Sequence, residues 1–410
     1  MIELTDPTTN DNAHQVEPQP RITRVAMIYA SDFEKTSLGG ITTMIREIIA
    51  RLREQFLVLF VGVGDPTDGE AVKQRVGAPS MMVLPVLPLT RRPHWLPLNI
   101  LFTIILFRRK KEICQSADLI HAHRMESALP FVINKSRPVL LTVHGASKFH
   151  AMTETGPLRW PIVRFAYDLV EGFVFSRADR VILISGEAYE YYSKRHPRLR
   201  HKFAVIPNFI ELSALHHFDR ATARAAHGLT ESDTAIVYAG RLVCEKRIDV
   251  LIEAFVRLLP ERPSAHLFIA GEGPDEGRLR NQVTRLRVDH VHFLGLLQKF
   301  EVHRLLAGAD IVALPSRFEG FPMLVLEALA FGVPVVASDV GGVREILADG
   351  LERFIWQTDD PEELKRKILE ACDRRMDLRD LCISRASRFD PARILPRLEE
   401  LYTSLVSASP

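Results

Sequence analysis

The sequence predicts an α/β protein made of two doubly wound parallel sheets that face each other across a cleft. Three observations carry this. Near-continuous apolar runs of four to six residues alternate with helical patterns along the chain, as strands covered on both faces require. The alternation halts at Pro207-Asn208 and then restarts. The charge divides at the same place: residues 1–208 hold 27 Lys+Arg against 20 Asp+Glu, and residues 209–410 hold 26 against 31. A chain of 410 residues is long enough for two such domains.

Residues 1–20 carry four acids and no Lys or Arg, and read as a disordered tail without a secretory signal. Residues 21–208 then form a first domain with a net charge of +11. It opens with a strand, Arg24 to Ala30, and a loop ending in Gly39-Gly40. A helix follows, with Ile41, Met44, Ile45, Ile48, Ile49 and Leu52 on one face. Ala117–His121, Val139–Val143, Arg180–Ser185 and Phe203–Ile206 are further short strands. The second domain spans 209–387, with strands at Ala235–Ala239, Ala265–Ala270, His290–Leu294, Ile311–Leu314 and Val333–Ala337. Between the first two lies a helix with Leu251, Phe255, Leu258 and Leu259 on one face. Residues 388–410 form a last amphipathic helix through Ile394, Leu395, Leu398, Leu401, Tyr402 and Leu405.

Composition excludes several classes. Four scattered cysteines with no Cys-x-x-Cys pair suit neither a disulfide framework nor a zinc cluster. The longest apolar stretch, Leu96 to Phe107, has nine apolar residues in twelve and is too short to span a bilayer. The expectation is a cytoplasmic protein, peripheral at most on the inner face of the cell membrane. No nucleic-acid recognition motif accompanies the basic half.

Three segments carry chemistry. Ala270-Gly-Glu-Gly-Pro-Asp-Glu-Gly277 follows a strand, but its third glycine comes one residue late for a dinucleotide fingerprint, so it reads as a strand-to-helix turn beside the cleft. In Leu314-Pro-Ser-Arg-Phe-Glu319-Gly-Phe-Pro-Met-Leu-Val-Leu-Glu327, Pro322 stands where a helix begins, and the free N–H groups there suit a phosphate. Gly320 lets a ligand approach the backbone. Two carboxylates beside an anion site make sense if they hold hydroxyls, and Glu327, set among Leu324, Val325, Leu326, Ala328 and Leu329, needs a partner. Arg241 and Lys246 follow the first strand of the second half; a guanidinium fork with an ammonium suits a diphosphate. His121 and His123 share one side of a strand end, with no clear third ligand for a metal.

The order Gly39-Gly40, Thr142-Val-His144-Gly145, Pro207-Asn208, Gly240-Arg241, Lys246, Gly271-Glu-Gly-Pro274, Phe293-Leu-Gly295, Glu319-x7-Glu327, Gly332-x-Pro334 and Gly341-Gly342 resembles the retaining glycosyltransferases of family 4. The resemblance covers nearly everything beyond residue 20. It implies the GT-B fold: two Rossmann-like domains, with the last helix crossing back to the first. It implies sugar transfer from a UDP- or GDP-sugar to a glycan or lipid-linked acceptor hydroxyl, with no cofactor and no metal. Arg241 and Lys246 would hold the donor diphosphate, Glu327 the ribose, and Glu319 the donor sugar. Gly320, Phe321, Pro322, Met323 and Leu324 would offer backbone N–H groups to sugar and phosphate, and Gly39 and Gly40 would close on the phosphate. His144 would sit near the sugar hydroxyls, the base near Phe293 to Leu296, and His121 and His123 would line the acceptor side. The stretch Gly350-Leu-Glu-Arg-Phe-Ile-Trp356 lacks a glycine usual to the family, which puts that turn in question.

The sequence contains no Asp-x-Asp pair for a metal, which leaves leaving-group stabilisation to Arg241 and Lys246. A sugar-nucleotide epimerase on the same fold and a non-catalytic sugar-nucleotide- or lipid-binding subunit are the rival readings. Leu96–Phe107, flanked by Arg91-Arg92 and by Arg108, Arg109, Lys110 and Lys111, reads either as a buried helix or as an interfacial element on an anionic membrane surface.

Overall fold

The computed structural model describes residues 22–32, 40–64, 81–87, 97–145, 161–216, 218–357 and 359–408. The first sheet comprises Thr23–Asp32 (β1), Phe56–Val63 (β2), Met81–Leu87 (β3), Leu119–Ala122 (β4), Val139–Val143 (β5), Arg180–Leu183 (β6) and Phe203–Val205 (β7). All neighbours run parallel, in the order β3-β2-β1-β4-β5-β6-β7. The second comprises Thr234–Ala239 (β8), Ala265–Ala270 (β9), Val291–Gly295 (β10), Ile311–Leu314 (β11), Val335–Ser338 (β12) and Ile355–Trp356 (β13), also parallel, ordered β10-β9-β8-β11-β12-β13. Each order reverses beside its first strand, at β1/β4 and at β8/β11. The crevice of such a sheet lies beyond the carboxyl ends of the strands at that point.

Strands β1, β4, β5, β6, β8, β9 and β11 are buried along most of their length, which explains their unbroken apolar runs. No strand is predicted at β2, β3 or β13. The run Phe-Leu-Val-Leu-Phe-Val-Gly-Val of β2 has no period to separate a buried strand from a buried helix. Strand β3 is an edge strand interrupted by Pro85, and β13 has two residues. The Asp349-Gly350 turn takes positive φ at both residues (58° and 113°) and feeds a 3₁₀ turn, Glu352–Phe354, into β13. The local fold is therefore made without the extra glycine.

Three apolar clusters hold these layers. One face of the first sheet buries Phe102, Leu106, Phe131 and Phe175 from its helices. The other face buries Met44, Ile45 and Ile48 of the helix Gly40–Arg51 together with Ile394, Leu398 and Tyr402 of the helix Pro391–Ser407. The last helix of the chain thus packs on the first sheet, as the resemblance implies. Asp390 accepts from Ala392 N–H and Pro391 is its first residue, a start that suits both. The second sheet is covered by helices including Ile248–Leu258 and Met323–Ala330.

The stretch read as either a buried or an interfacial helix is the N-terminal part of the helix Leu98–Ser116. It buries Phe102 and Leu106 but leaves Ile100, Ile104 and Phe107 exposed, so it is not a fully buried core helix. Arg91, Arg92 and Leu96 lie outside the described residues, as do residues 1–20 and Gly39. Among the described residues no helix is long and apolar enough to cross a membrane.

Candidate active site

The loops after β8, β9 and β11 meet at one end of the second sheet. Gly271 and Gly273 are required there: a Cβ on Gly271 would stand 1.9 Å from the Gly240 carbonyl oxygen, and one on Gly273 2.0 Å from that of Leu242. The Gly-Glu-Gly segment therefore serves as the turn that seats the Arg241 loop, and the helix Glu276–Leu286 follows it. Leu242 N–H donates to the Glu272 carbonyl, and Arg317 N–H to that of Glu245.

Lys246 and Glu319 come together in this cluster. Lys246 Nζ lies 2.5 Å from Glu319 Oε1, and the buried Ser316 Oγ donates to the same oxygen at 2.7 Å. Both charged side chains keep a minor part of their surface open to solvent. Arg241 is exposed on the same loop as Lys246, between β8 and the helix Ile248–Leu258. Met323–Ala330 starts directly after Pro322, so the N–H groups of Met323, Leu324 and Val325 lack helical partners, and the loop that carries Glu319 and Gly320 leads into them.

The first domain reaches this loop through His144. A Cβ on Gly320 would stand 2.7 Å from the His144 carbonyl oxygen, so the two backbones are in contact across the cleft. The loop is also tied to the hinge, where the buried Asn208 Nδ2 donates to the Phe321 carbonyl at 2.9 Å. Gly341-Gly342 packs beneath, with Gly342 N–H donating to the Gly320 carbonyl at 2.7 Å. His144 Nε2 lies 3.0 Å from His123 Nδ1. His121 is sealed between Thr142 Oγ1 (2.7 Å) and the Tyr402 hydroxyl (2.8 Å). Burial holds His121 neutral well below the ordinary histidine range, and pushes His123 down to about 3. Among the described residues no three His, Cys, Asp or Glu side chains converge as a metal site.

Glu327 stands apart from Glu319, in a pocket formed with Glu47, Lys299 and Met323. The residue is half-buried, and desolvation raises its carboxyl pKa to about 7. Lys299 opposes that shift and Glu47 adds to it. Among the described residues no hydrogen bond or ion pair to this carboxylate is found. Lys299 instead reaches Glu47 of the first domain at 2.7 Å, closing the pocket across the cleft.

The sequence-predicted residues therefore fall into two groups. Arg241, Lys246, Glu319, Gly320, Phe321, Pro322, Met323, Leu324 and His144 share one end of the cleft. Glu327 lies farther along the same helix, and Gly40 is the first residue of Gly40–Arg51, the helix that presents Glu47. Ser316, Lys299 and Glu47 are not among the residues that the sequence marks as candidates. Ser316 lies inside the segment singled out, but Lys299 and Glu47 read as ordinary charged residues on helix surfaces.

Known proteins resemble this chain in sequence and in fold. The model for glycosyltransferase family 4 matches residues 38–214, and that for glycosyl transferases group 1 matches 219–389. The chain is 28% identical over 288 residues to the D-inositol 3-phosphate glycosyltransferase of Segniliparus rotundus, covering 66% of this chain and 63% of that one. It is 28% identical over 319 residues to the Nocardia farcinica protein of the same name, covering 73% and 69%. The match thus spans less than two thirds of the Segniliparus relative. In three dimensions the chain resembles sucrose-phosphate synthase from Thermosynechococcus elongatus, with a TM-score of 0.80 at 21% identity, over 94% of this chain and 100% of that one. It also resembles Anabaena HepE, solved with UDP and glucose, with a TM-score of 0.72 at 20% identity over 93% and 100%. These neighbours share the GT-B fold.

Proposed function

Since the chain belongs to glycosyltransferase family 4, we propose that it moves a sugar from a UDP- or GDP-sugar to an acceptor hydroxyl, with retention at the anomeric carbon. The observation that carries this reading is the Lys246–Glu319–Ser316 cluster, set beside a free helix N-terminus and touched by the His144 segment. A cation, an exposed guanidinium on the same loop and unpaired N–H groups suit a diphosphate. The glutamate beside them suits sugar hydroxyls.

The donor diphosphate takes over Lys246 from Glu319, which frees the carboxylate to accept from the sugar. The anomeric C–O bond to the β-phosphate breaks, and its electron pair leaves with the nucleoside diphosphate. Arg241 and Lys246 stabilise that growing charge, without a metal in this scheme. The acceptor oxygen attacks from the face the phosphate leaves, and its proton passes to a departing phosphate oxygen. The His144 carbonyl against Gly320 helps exclude water from the reacting centre. At the far end, the unpartnered Glu327 carboxylate receives the ribose hydroxyls.

The acceptor belongs to polysaccharide or lipid-linked glycan synthesis on this reading, since the acceptor-side domain is strongly basic. Incubation with labelled UDP- and GDP-sugars tests the proposal. Sugar transfer that requires an added glycan or lipid-linked acceptor supports it. Conversion of the donor without acceptor would mean an epimerase, and binding without turnover a non-catalytic subunit.

A further inference from the structure

Two helices of the first domain carry eight of the thirteen large apolar residues exposed among the described ones. On Leu98–Ser116, Ile100 (50% exposed), Ile104 (41%) and Phe107 (43%) lie at i, i+4 and i+7, one face of a helix. On Pro161–Arg177, Ile162 (83%), Phe165 (65%), Leu169 (59%) and Phe173 (39%) repeat the pattern, with Val170 beside them. The opposite faces are satisfied in the core through Phe102, Leu106, Val174 and Phe175. Both helices flank Met125–Val132 and cover the same face of the first sheet, away from the C-terminal helix. Two exposed apolar stripes on one face of a domain suit a docking site.

Each apolar stripe ends in cations. Lys111 continues the Ile100–Phe107 face one turn on, with exposed Arg108 alongside. Arg177 closes the other stripe, its guanidinium 5.8 Å from the Phe173 ring centroid. We infer that these two helices form a docking face for an anionic lipid bilayer, with the apolar residues in the headgroup–acyl boundary and Lys111, Arg108 and Arg177 against lipid phosphates. The helices run opposite to the strands, so their apolar first halves lie at the end where the strands open into the cleft. A lipid-linked acceptor would then arrive beside the cleft. That use rests on the proposed transfer reaction, whereas the lipid binding does not.

Flotation of the full chain tests the inference, with phosphatidylcholine vesicles and with vesicles containing phosphatidylglycerol. The protein should float only with the anionic vesicles, less so in high salt. Ile162→Ser, Phe165→Ser and Leu169→Ser together should lower partitioning by about 100-fold or more, the scale of three partly buried apolar side chains. Lys111→Gln and Arg177→Gln should each lower it by about fivefold. Unchanged melting temperatures keep the comparison fair. UDP and GDP titrations of the same samples report on the donor site separately, so a failed donor reading and a failed docking face give different results. Equal flotation of wild type and the triple variant would overturn the inference. So would flotation without dependence on anionic lipid, or a wild-type dimer that the triple variant dissociates.

Discussion

Lys246 Nζ sits 2.5 Å from Glu319 Oε1, with Ser316 Oγ donating to the same oxygen at 2.7 Å. Seventy-odd residues separate the partners in sequence, and each follows a different strand of the second sheet, β8 and β11. Their neighbours in the sheet order bring them together at the switch point. The pair keeps the ammonium oriented and partly desolvated.

Lys246→Ala and Arg241→Ala should each lower kcat/KM by roughly 100-fold or more, the scale of losing one preorganised donor at a leaving group. Steady-state kinetics with and without Mg2+ check this. Full activity in both variants, or activity only with added Mg2+, would overturn the metal-free scheme.

Burial raises the Glu327 pKa to about 7 from its ordinary 4.5. Between those values the native state holds a proton that the unfolded chain releases. Stability from this group therefore declines as pH rises from about 4.5 to 7, and the full cost is present above 7. Glu327→Gln removes the cost, so the variant should melt above wild type at pH 8 and converge with it below about pH 4.5. It should also weaken nucleoside diphosphate binding by about tenfold, as loss of a charged hydrogen-bond partner does. Calorimetry reads the second effect; unchanged affinity would make Glu327 structural.

Gly320→Ala sets a methyl group 2.7 Å from the His144 carbonyl oxygen of the other domain. Backbone on the far side cannot yield as a side chain would, so the cleft is held slightly open. A drop in kcat/KM of about tenfold or more, with an unchanged circular dichroism spectrum, is the expected result, because small misplacements weaken catalysis strongly.

Tyr402→Phe keeps the ring that packs edge-on against Phe56 but removes the hydroxyl from His121. The buried imidazole then loses a partner, at a cost of about 1–3 kcal/mol in denaturant unfolding. His121 and His123 are held neutral when folded, so stability falls as pH drops below the ordinary histidine value of 6.5. Both proteins should share that acid limb. A loss smaller than the denaturation error would show that Tyr402 is held by packing alone.

Legibility in the sequence followed local pattern. Val139–Val143, Ala265–Ala270 and Ile311–Leu314 were readable to the residue, since strands buried on both faces must be apolar throughout. Arg241, Lys246, Glu319 and Glu327 were readable as candidates because glycines and a proline punctuate the turns that hold them. Lys299 and Glu47 were not, since a charged residue on a helix surface looks the same whether it meets water or the opposite domain.

The sequence by itself determined two parallel α/β domains, the end of each sheet that carries the site, and a family of motifs suited to a diphosphate and hydroxyls. Those follow from hydrophobic periodicity and turn chemistry, which act over a few residues. Only the tertiary structure decided that Lys246 rests on Glu319, that Gly320 meets His144, that Glu327 shares a pocket with Lys299, and which apolar faces stay in water. The helix Pro161–Arg177 shows why. Ile162, Phe165, Leu169, Phe173, Val174 and Phe175 make it apolar on more than one side, so its pattern cannot name the side that the sheet covers. Burial is a property of what packs against a residue, and that partner lies elsewhere in the chain.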